Sequence, residues 1–221
     1  MKIVAMMPIK TDNERLPGKN EKLLGGKPLL RHMLDTLVSM EELDRICVYC
    51  SQKSIQALLP ERVEFVKRSE ELDLPTANFT QIFERFRREV EADVYVYAHA
   101  TAPLLTAKSI RRCIDAVVSG QYDSAFTASK LQDFLWQEGK PLNFDPANIP
   151  RSQDLPPIYR ESSGVYVFTA QVFDQYRRRV GMRPFIQQVT GREAVDINEP
   201  EDFTLAQALL NLGESVERKH D

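Results

Sequence analysis

An open, mostly parallel α/β sheet of Rossmann-like type, with helices on both faces and a small inserted arm, is predicted from three features of the chain. Short apolar runs of strand length alternate with longer runs whose apolar residues recur at helical spacing, the β-α-β rhythm of a parallel sheet. That alternation passes through four crossovers before it breaks. The 221 residues, 43% of them apolar, suffice for one core that two helix layers can share.

Taken in order, "KIVAMMPI" reads as the first strand and "PLLRHMLDTLVSM" as a helix with one apolar stripe. "RICVYCS" is a strand, "SIQALL" a short helical run and "VEFV" a strand. A helix is expected from about 77 to 91, then the strand "DVYVYAHA", a helix "TAKSIRRCIDAVVSG" capped by Thr106, and the strand "DSAFTAS". Between Leu131 and Arg160 the rhythm stops, and five prolines from Pro141 to Pro157 deny donors to any regular ladder or helix. The strand "GVYVF", a helix over "AQVFDQYRRRV", a short strand in "PFIQQV" and a last helix over "EPEDFTLAQALLNL" complete a single domain, 1–221, with an irregular insertion at about 131–160.

With 29 basic against 32 acidic side chains and a net charge of -3, no global positive field gathers nucleic acid or anionic lipid. No stretch approaches the roughly 20 apolar residues of a membrane span, and the apolar start is too short for a signal-peptide core. The three cysteines, two of them placed on opposite faces of one strand in "CVYC", read as small buried hydrophobes. The expectation is a soluble, reduced, cytoplasmic protein. "RFRREVE", "IRRCID" and "YRRRV" read as solvated helix faces.

The segment "PIKTDNERLPGKN" follows the first strand directly and carries Lys10, Arg15 and Lys19. In open α/β sheets ligands bind beyond the carboxyl ends of the strands, so its position favours phosphate. It contains neither a Walker loop nor a dinucleotide fingerprint, so side chains would do the holding. On charge alone a solvated surface loop remains equally open, because Asp12 and Glu14 partly cancel the field.

"RLPGKN" followed by "LGGKPLL", then "KRSEELDLPTANF", "HATAPLLTAKSI", "PRSQDLP", "YRESSGVYVF" and "VDINEPEDFTLAQALL", in that order, resembles the acylneuraminate cytidylyltransferase family. The resemblance covers most of the chain. It implies a CTP-dependent nucleotidyltransferase that moves CMP onto an acidic sugar for surface glycan assembly, with Lys10, Arg15, Lys19 and Asn20 around the nucleotide. Arg68 and Ala77 of "KRSEELDLPTANF" are implied on the nucleotide as well, and His99, Thr101, Arg151, Arg160 and Tyr166 on the sugar. It also implies a homodimer, with the arm against the partner or over the sugar; Phe134, Leu135 and Trp136 would otherwise form an apolar patch in water.

Nucleotidyl transfer usually enlists Mg²⁺, held by one or two carboxylates together with substrate phosphates. "VDINEPED" suits that role if it is a strand, since Asp196 and Asn198 at i and i+2 would then share a face. Asn198 stands where many members of the family have a second aspartate, Lys10 where an arginine is usual, His99 where a glutamine is usual, and Ser162 with Ser163 where "NG" is usual. Lys10 and Asn198 also leave room for a second reading, a non-catalytic binding protein on the same fold. A glycosyltransferase that uses a preformed sugar nucleotide is disfavoured by the missing "DxD" after the central strand.

Overall fold

The computed structural model describes residues 1–217; residues 218–221 of the expected domain lie outside it. Seven strands form the sheet: β1 (Ile3–Ile9), β2 (Arg45–Cys50), β3 (Val63–Lys67), β4 (Val94–Ala98), β5 (Ser124–Leu131), β6 (Ile158–Thr169) and β7 (Pro184–Gln188). Their order across it is β7-β5-β6-β4-β1-β2-β3. β6 runs antiparallel to both of its neighbours, and every other pairing is parallel.

Alternation along the strands divides the core. Ala5 and Met7 of β1 face one side, with Ile46 and Val48 of β2. There α1 (Leu29–Val38) and α3 (Ala107–Val118) lay down Leu30, Met33, Leu34 and Leu37, and Ile110, Cys113, Ile114 and Val117. Val4, Met6, Cys47 and Tyr49 face the other side, under α2 (Phe79–Glu89) and α4 (Ala170–Tyr176). Cys47 and Cys50 thus enter opposite layers, as the period of a strand requires, and all three cysteines are unpaired and buried. A third apolar cluster joins Leu16 and Leu24 to Val195, Ile197 and Ala206, the last on α5 (Pro200–Glu217). It clamps the loop after β1 to the chain that enters α5.

Local chemistry accounts for the helix starts. Asn78 and Gln81 form a reciprocal capping box at α2, and the Thr106 hydroxyl accepts the Ser109 N–H at α3. The helix expected over "AQVFDQYRRRV" ends at Tyr176, because Arg177 takes a left-handed conformation (φ 56°) and its N–H closes on the Phe173 carbonyl. "SIQALL" forms a 3₁₀ run, Lys53–Leu58.

The irregular insertion is shorter than expected at its far end, because β6 begins at Ile158, opposite Leu131 of β5. The register of that pair shifts between Glu161 and Tyr166, where Ser163 has φ 53°. The serines there interrupt the apolar pattern, so only the second half of β6 reads as a strand in sequence. The rest of the arm holds a two-residue hairpin, Trp136–Gln137 with Lys140–Pro141, and a 3₁₀ turn, Ser152–Asp154. Phe134 and Trp136 pack on Phe144 yet stay exposed, as do Leu142 and Ile149, whereas Leu135 is half-buried.

Phe83 sits at the centre of the α2/α4 layer, fully buried, with ring centroids 4.6 Å from Phe173, 4.8 Å from Tyr95 and 5.0 Å from Phe168. Phe83→Ala is expected to lower unfolding free energy by about 3–5 kcal/mol in urea titrations. A loss below about 1 kcal/mol would mean that the layer closes over the gap.

Candidate active site

At the carboxyl end of β1, side chains take up the backbone carbonyls. Arg68 donates to the Ile9 carbonyl (2.9 Å), and both Asn20 (2.8 Å) and Asn13 (2.9 Å) donate to that of Lys10. Gly18, at φ 65°, supplies the left-handed turn that brings Lys19 and Asn20 back beneath the loop, while Leu16 is anchored in the third cluster. Arg68 is almost wholly buried, paired with Asp73, so it supports the loop from below.

Two cations of the loop reach the segment before α5. The Lys19 ammonium donates to the Ile197 carbonyl (2.9 Å), and its pKa is lowered by burial, against which the charge of Asp196 works. Arg15 donates through Nη2 to Asn198 Oδ1 (2.8 Å) and through Nη1 to Glu199 Oε1 (3.2 Å).

That segment is not a strand. It is held from behind, the Ile197 N–H donating to the Thr101 carbonyl (2.8 Å) and the Asn198 and Glu199 N–H groups both donating to Asp202 Oδ2 (2.8 Å each). Asp196 and Asn198 nevertheless meet, as expected, for a different reason. Asn198 Nδ2 donates to Asp196 Oδ2 (2.8 Å), and the other Asp196 oxygen, Oδ1, is buried with no hydrogen-bond partner. A buried, unsatisfied carboxylate oxygen suits a cation. Among the described residues no group of three or more His, Cys, Asp and Glu side chains could close around a metal. A cation on Asp196 would therefore take further oxygens from substrate, in the manner of Mg²⁺ on phosphates.

The Arg15–Asn198 contact links the walls of two clefts. One, of about 330 Å³, is lined by Lys10, Arg15 and Lys19 together with Asp12, Asn13, Glu14 and Pro75, so two carboxylates offset part of its charge. The other, of about 440 Å³, is lined by Arg160, Glu161, Ser162, Asp196 and Asn198. A larger depression of about 460 Å³ beside Lys2 and Arg87 lies at the amino ends of the strands, where open α/β sheets do not bind ligands.

Beyond β4, His99 is half-buried with Nε2 enclosed and unpartnered. Burial, then Arg179 and Lys19, push its pKa down to about 3, so it is neutral at physiological pH. Tyr166 is buried, and its hydroxyl donates to Glu161. The Arg179 guanidinium lies 3.6 Å over the Tyr166 ring and 3.9 Å from Glu161.

Lys10, Arg15, Lys19, Asn20, Asp196 and Asn198 thus form one cluster, and Arg160 lines the cleft that Asp196 also lines. Ala77 lines a separate depression with Glu71, Thr76 and Gln81. Arg151 is on the arm, exposed, with both of its hydrogen bonds going to Asp154. Sequence reasoning missed Arg179, read as part of a solvated helix face, and Glu161. No local pattern signals either, because the early end of α4 and the irregularity of β6 bring them together.

A cationic loop facing an unsatisfied carboxylate, at the carboxyl edge of a mostly parallel sheet, suits a protein that handles phosphate groups with the help of a cation. Residues 4–217 match the family model described as Cytidylyltransferase, and the chain belongs to that family. It is 26% identical over 222 residues to an N-acylneuraminate cytidylyltransferase of Oncorhynchus mykiss, covering 96% of this chain and 51% of that protein. It is 25% identical over 233 residues to a CMP-N,N'-diacetyllegionaminic acid synthase of Legionella pneumophila, covering 98% and 99%. The chain therefore spans about half the length of the first of these and nearly all of the second. In fold it is similar to a solved CMP:2-keto-3-deoxy-manno-octonic acid synthetase complexed with CTP, at TM-score 0.70 and 16% identity, covering 96% of this chain and all of that one.

The depressed pKa of His99 has a thermodynamic sign. Unfolded, the residue takes a proton near pH 6.5; folded, only near 3. Between those values the unfolded chain binds more protons, so stability falls as pH drops below about 6.5. His99→Gln is expected to flatten that slope in urea titrations from pH 7.5 to 4.5. An unchanged slope would mean that His99 is solvated in the native state.

Proposed function

We propose that the protein is a cytidylyltransferase that moves CMP from CTP onto an acidic sugar of the nonulosonic or a related class, for surface glycan biosynthesis. The observation that carries this reading is that Arg15 and Lys19 of the β1 loop bond the segment of Asp196, at Asn198 and at the Ile197 carbonyl, while the second oxygen of Asp196 is free and buried. The cleft of the β1 loop would take the triphosphate and the cleft at Arg160 the sugar, and the α-phosphorus would then lie near Asp196. The family membership, and the names of the relatives of both lengths, support the same donor and the same class of acceptor.

The reaction is an in-line displacement. The anomeric hydroxyl oxygen forms a bond to the α-phosphorus, the bond from that phosphorus to the bridging oxygen breaks, pyrophosphate leaves and the hydroxyl proton is lost to solvent. Lys10, Arg15 and Lys19 supply charge-assisted hydrogen bonds to the departing phosphates. Asp196, with Asn198 beside it, is where Mg²⁺ would be held, and that ion would polarise the α-phosphate. His99, being neutral, would offer the sugar a hydrogen bond without a charge. Arg160 suits a sugar carboxylate because its planar fork can grip two oxygens.

We place the enzyme in the cytoplasm, in keeping with its unpaired buried cysteines. No helix among the described residues is long and apolar enough to cross a membrane. The exposed Phe134, Trp136, Leu142 and Ile149 of the arm suit burial against a second copy of the chain. Light scattering at micromolar concentration is expected to give a dimer, and a strict monomer would remove that part of the proposal.

CTP with Mg²⁺ is expected to raise the melting temperature more than ATP, GTP or UTP does, and mass spectrometry after incubation with CTP and pooled acidic sugars is expected to find a CMP-sugar. Equal stabilisation by ATP would sink the nucleotide assignment. Asp196→Ala should fold normally and lose at least roughly 10²–10³-fold in turnover, the cost typical of removing one preorganised electrostatic group. Unaltered Mg²⁺ dependence in that variant would place the metal elsewhere.

A further inference from the structure

Arg15 and Asp196 are joined through a single amide. Asn198 Oδ1 accepts from Arg15 (2.8 Å) while Asn198 Nδ2 donates to Asp196 Oδ2 (2.8 Å). The orientation of that amide follows from its partners. A guanidinium can only donate and an ionised carboxylate can only accept, so the reverse placement would set donor against donor and acceptor against acceptor. The side-chain oxygen of Asn198 is therefore already engaged by a positive charge, whereas Asp196 Oδ1 is buried and free.

We infer that Asn198 is a positioning residue and not a metal ligand: its amide holds Arg15 in place for phosphate and turns Asp196 so that Oδ1 alone faces the cation. This rests on the reading of the site as one for CTP. Asn198 and Glu199 together take two of the five N–H donors of Arg15, which leaves the others for phosphate oxygens. A second aspartate at this position would lack the N–H that Asp196 now accepts. It would place two carboxylates in contact, and they would need a cation between them to settle. With asparagine the Arg15–Asp196 link stands before any metal arrives. The grip of Arg15 on phosphate is thus present without the ion.

The test is CTP binding by calorimetry in EDTA, then in Mg²⁺, for wild type, Asn198→Ala, Arg15→Ala and the double variant. The Asn198 N–H is held by Asp202, so truncating the side chain leaves the backbone anchored; melting temperatures without ligand check this. In EDTA, Asn198→Ala is expected to weaken CTP binding about 3- to 10-fold, in the range of one lost ordinary hydrogen bond, because the Asn198 amide acts on CTP only through Arg15. In the Arg15→Ala background the same change should cost less than about twofold, because the two residues act as one unit. Three results would overturn the inference: wild-type affinity of Asn198→Ala in EDTA with a loss only in Mg²⁺, which makes the carbonyl a ligand; additive losses in the cycle; or wild type that binds CTP only with Mg²⁺. Absence of CTP binding in both conditions would instead remove the assignment of the site itself, and the inference with it.

Discussion

The contact between the loop after β1 and the segment entering α5 sets the geometry on which the rest of the site depends. Lys19 grips the Ile197 carbonyl and Arg15 grips Asn198, while Leu16 packs with Val195 and Ile197 beneath them. An exposed ion pair such as Arg15 with Glu199 adds little by itself, about 0–1 kcal/mol. Its place is held by the apolar cluster under it and by the Asp202 carboxylate, which ties down two successive N–H groups. Stability comes from burial and orientation from polar bonds, and the junction contributes a wall residue to each cleft.

The charges follow the same division. Lys19 is largely desolvated, and Asp196 lies close enough to oppose the lowering of its pKa. Arg179 is spread over the Tyr166 ring, with Phe79 and Tyr97 further out and Glu161 at its edge. His99 stays neutral chiefly because it is desolvated, and the charges of Arg179 and Lys19 push the same way.

Much of the fold was legible because its signals are local. Period-two alternation on β1 and β2, helical spacing on α1 and α3, and a threonine placed to cap α3 all act within a few residues. The first part of β6 was hidden, since the polar "RESS" carries no strand pattern and pairs only because β5 lies beside it. The end of α4 was hidden for a related reason. "YRRRV" continues a helical pattern, but Arg177 turns left-handed where its carbonyl accepts from Thr80 of α2.

By itself the sequence determined an α/β sheet, a cation-rich loop at the carboxyl end of its first strand, and a carboxylate and an amide two residues apart late in the chain. Each of these depends on neighbours in sequence and on the chemistry of single side chains. The tertiary structure alone decided that Arg15 meets Asn198, that the Asn198 amide points its oxygen at a guanidinium, that Asp196 keeps one oxygen free, and that Arg179 lies over Tyr166. Arg15 and Asn198 lie far apart along the chain, and the turn of the Asn198 amide toward Asp196 follows from that distant partner, since the direction of a hydrogen bond is set by which group the fold brings within about 3 Å.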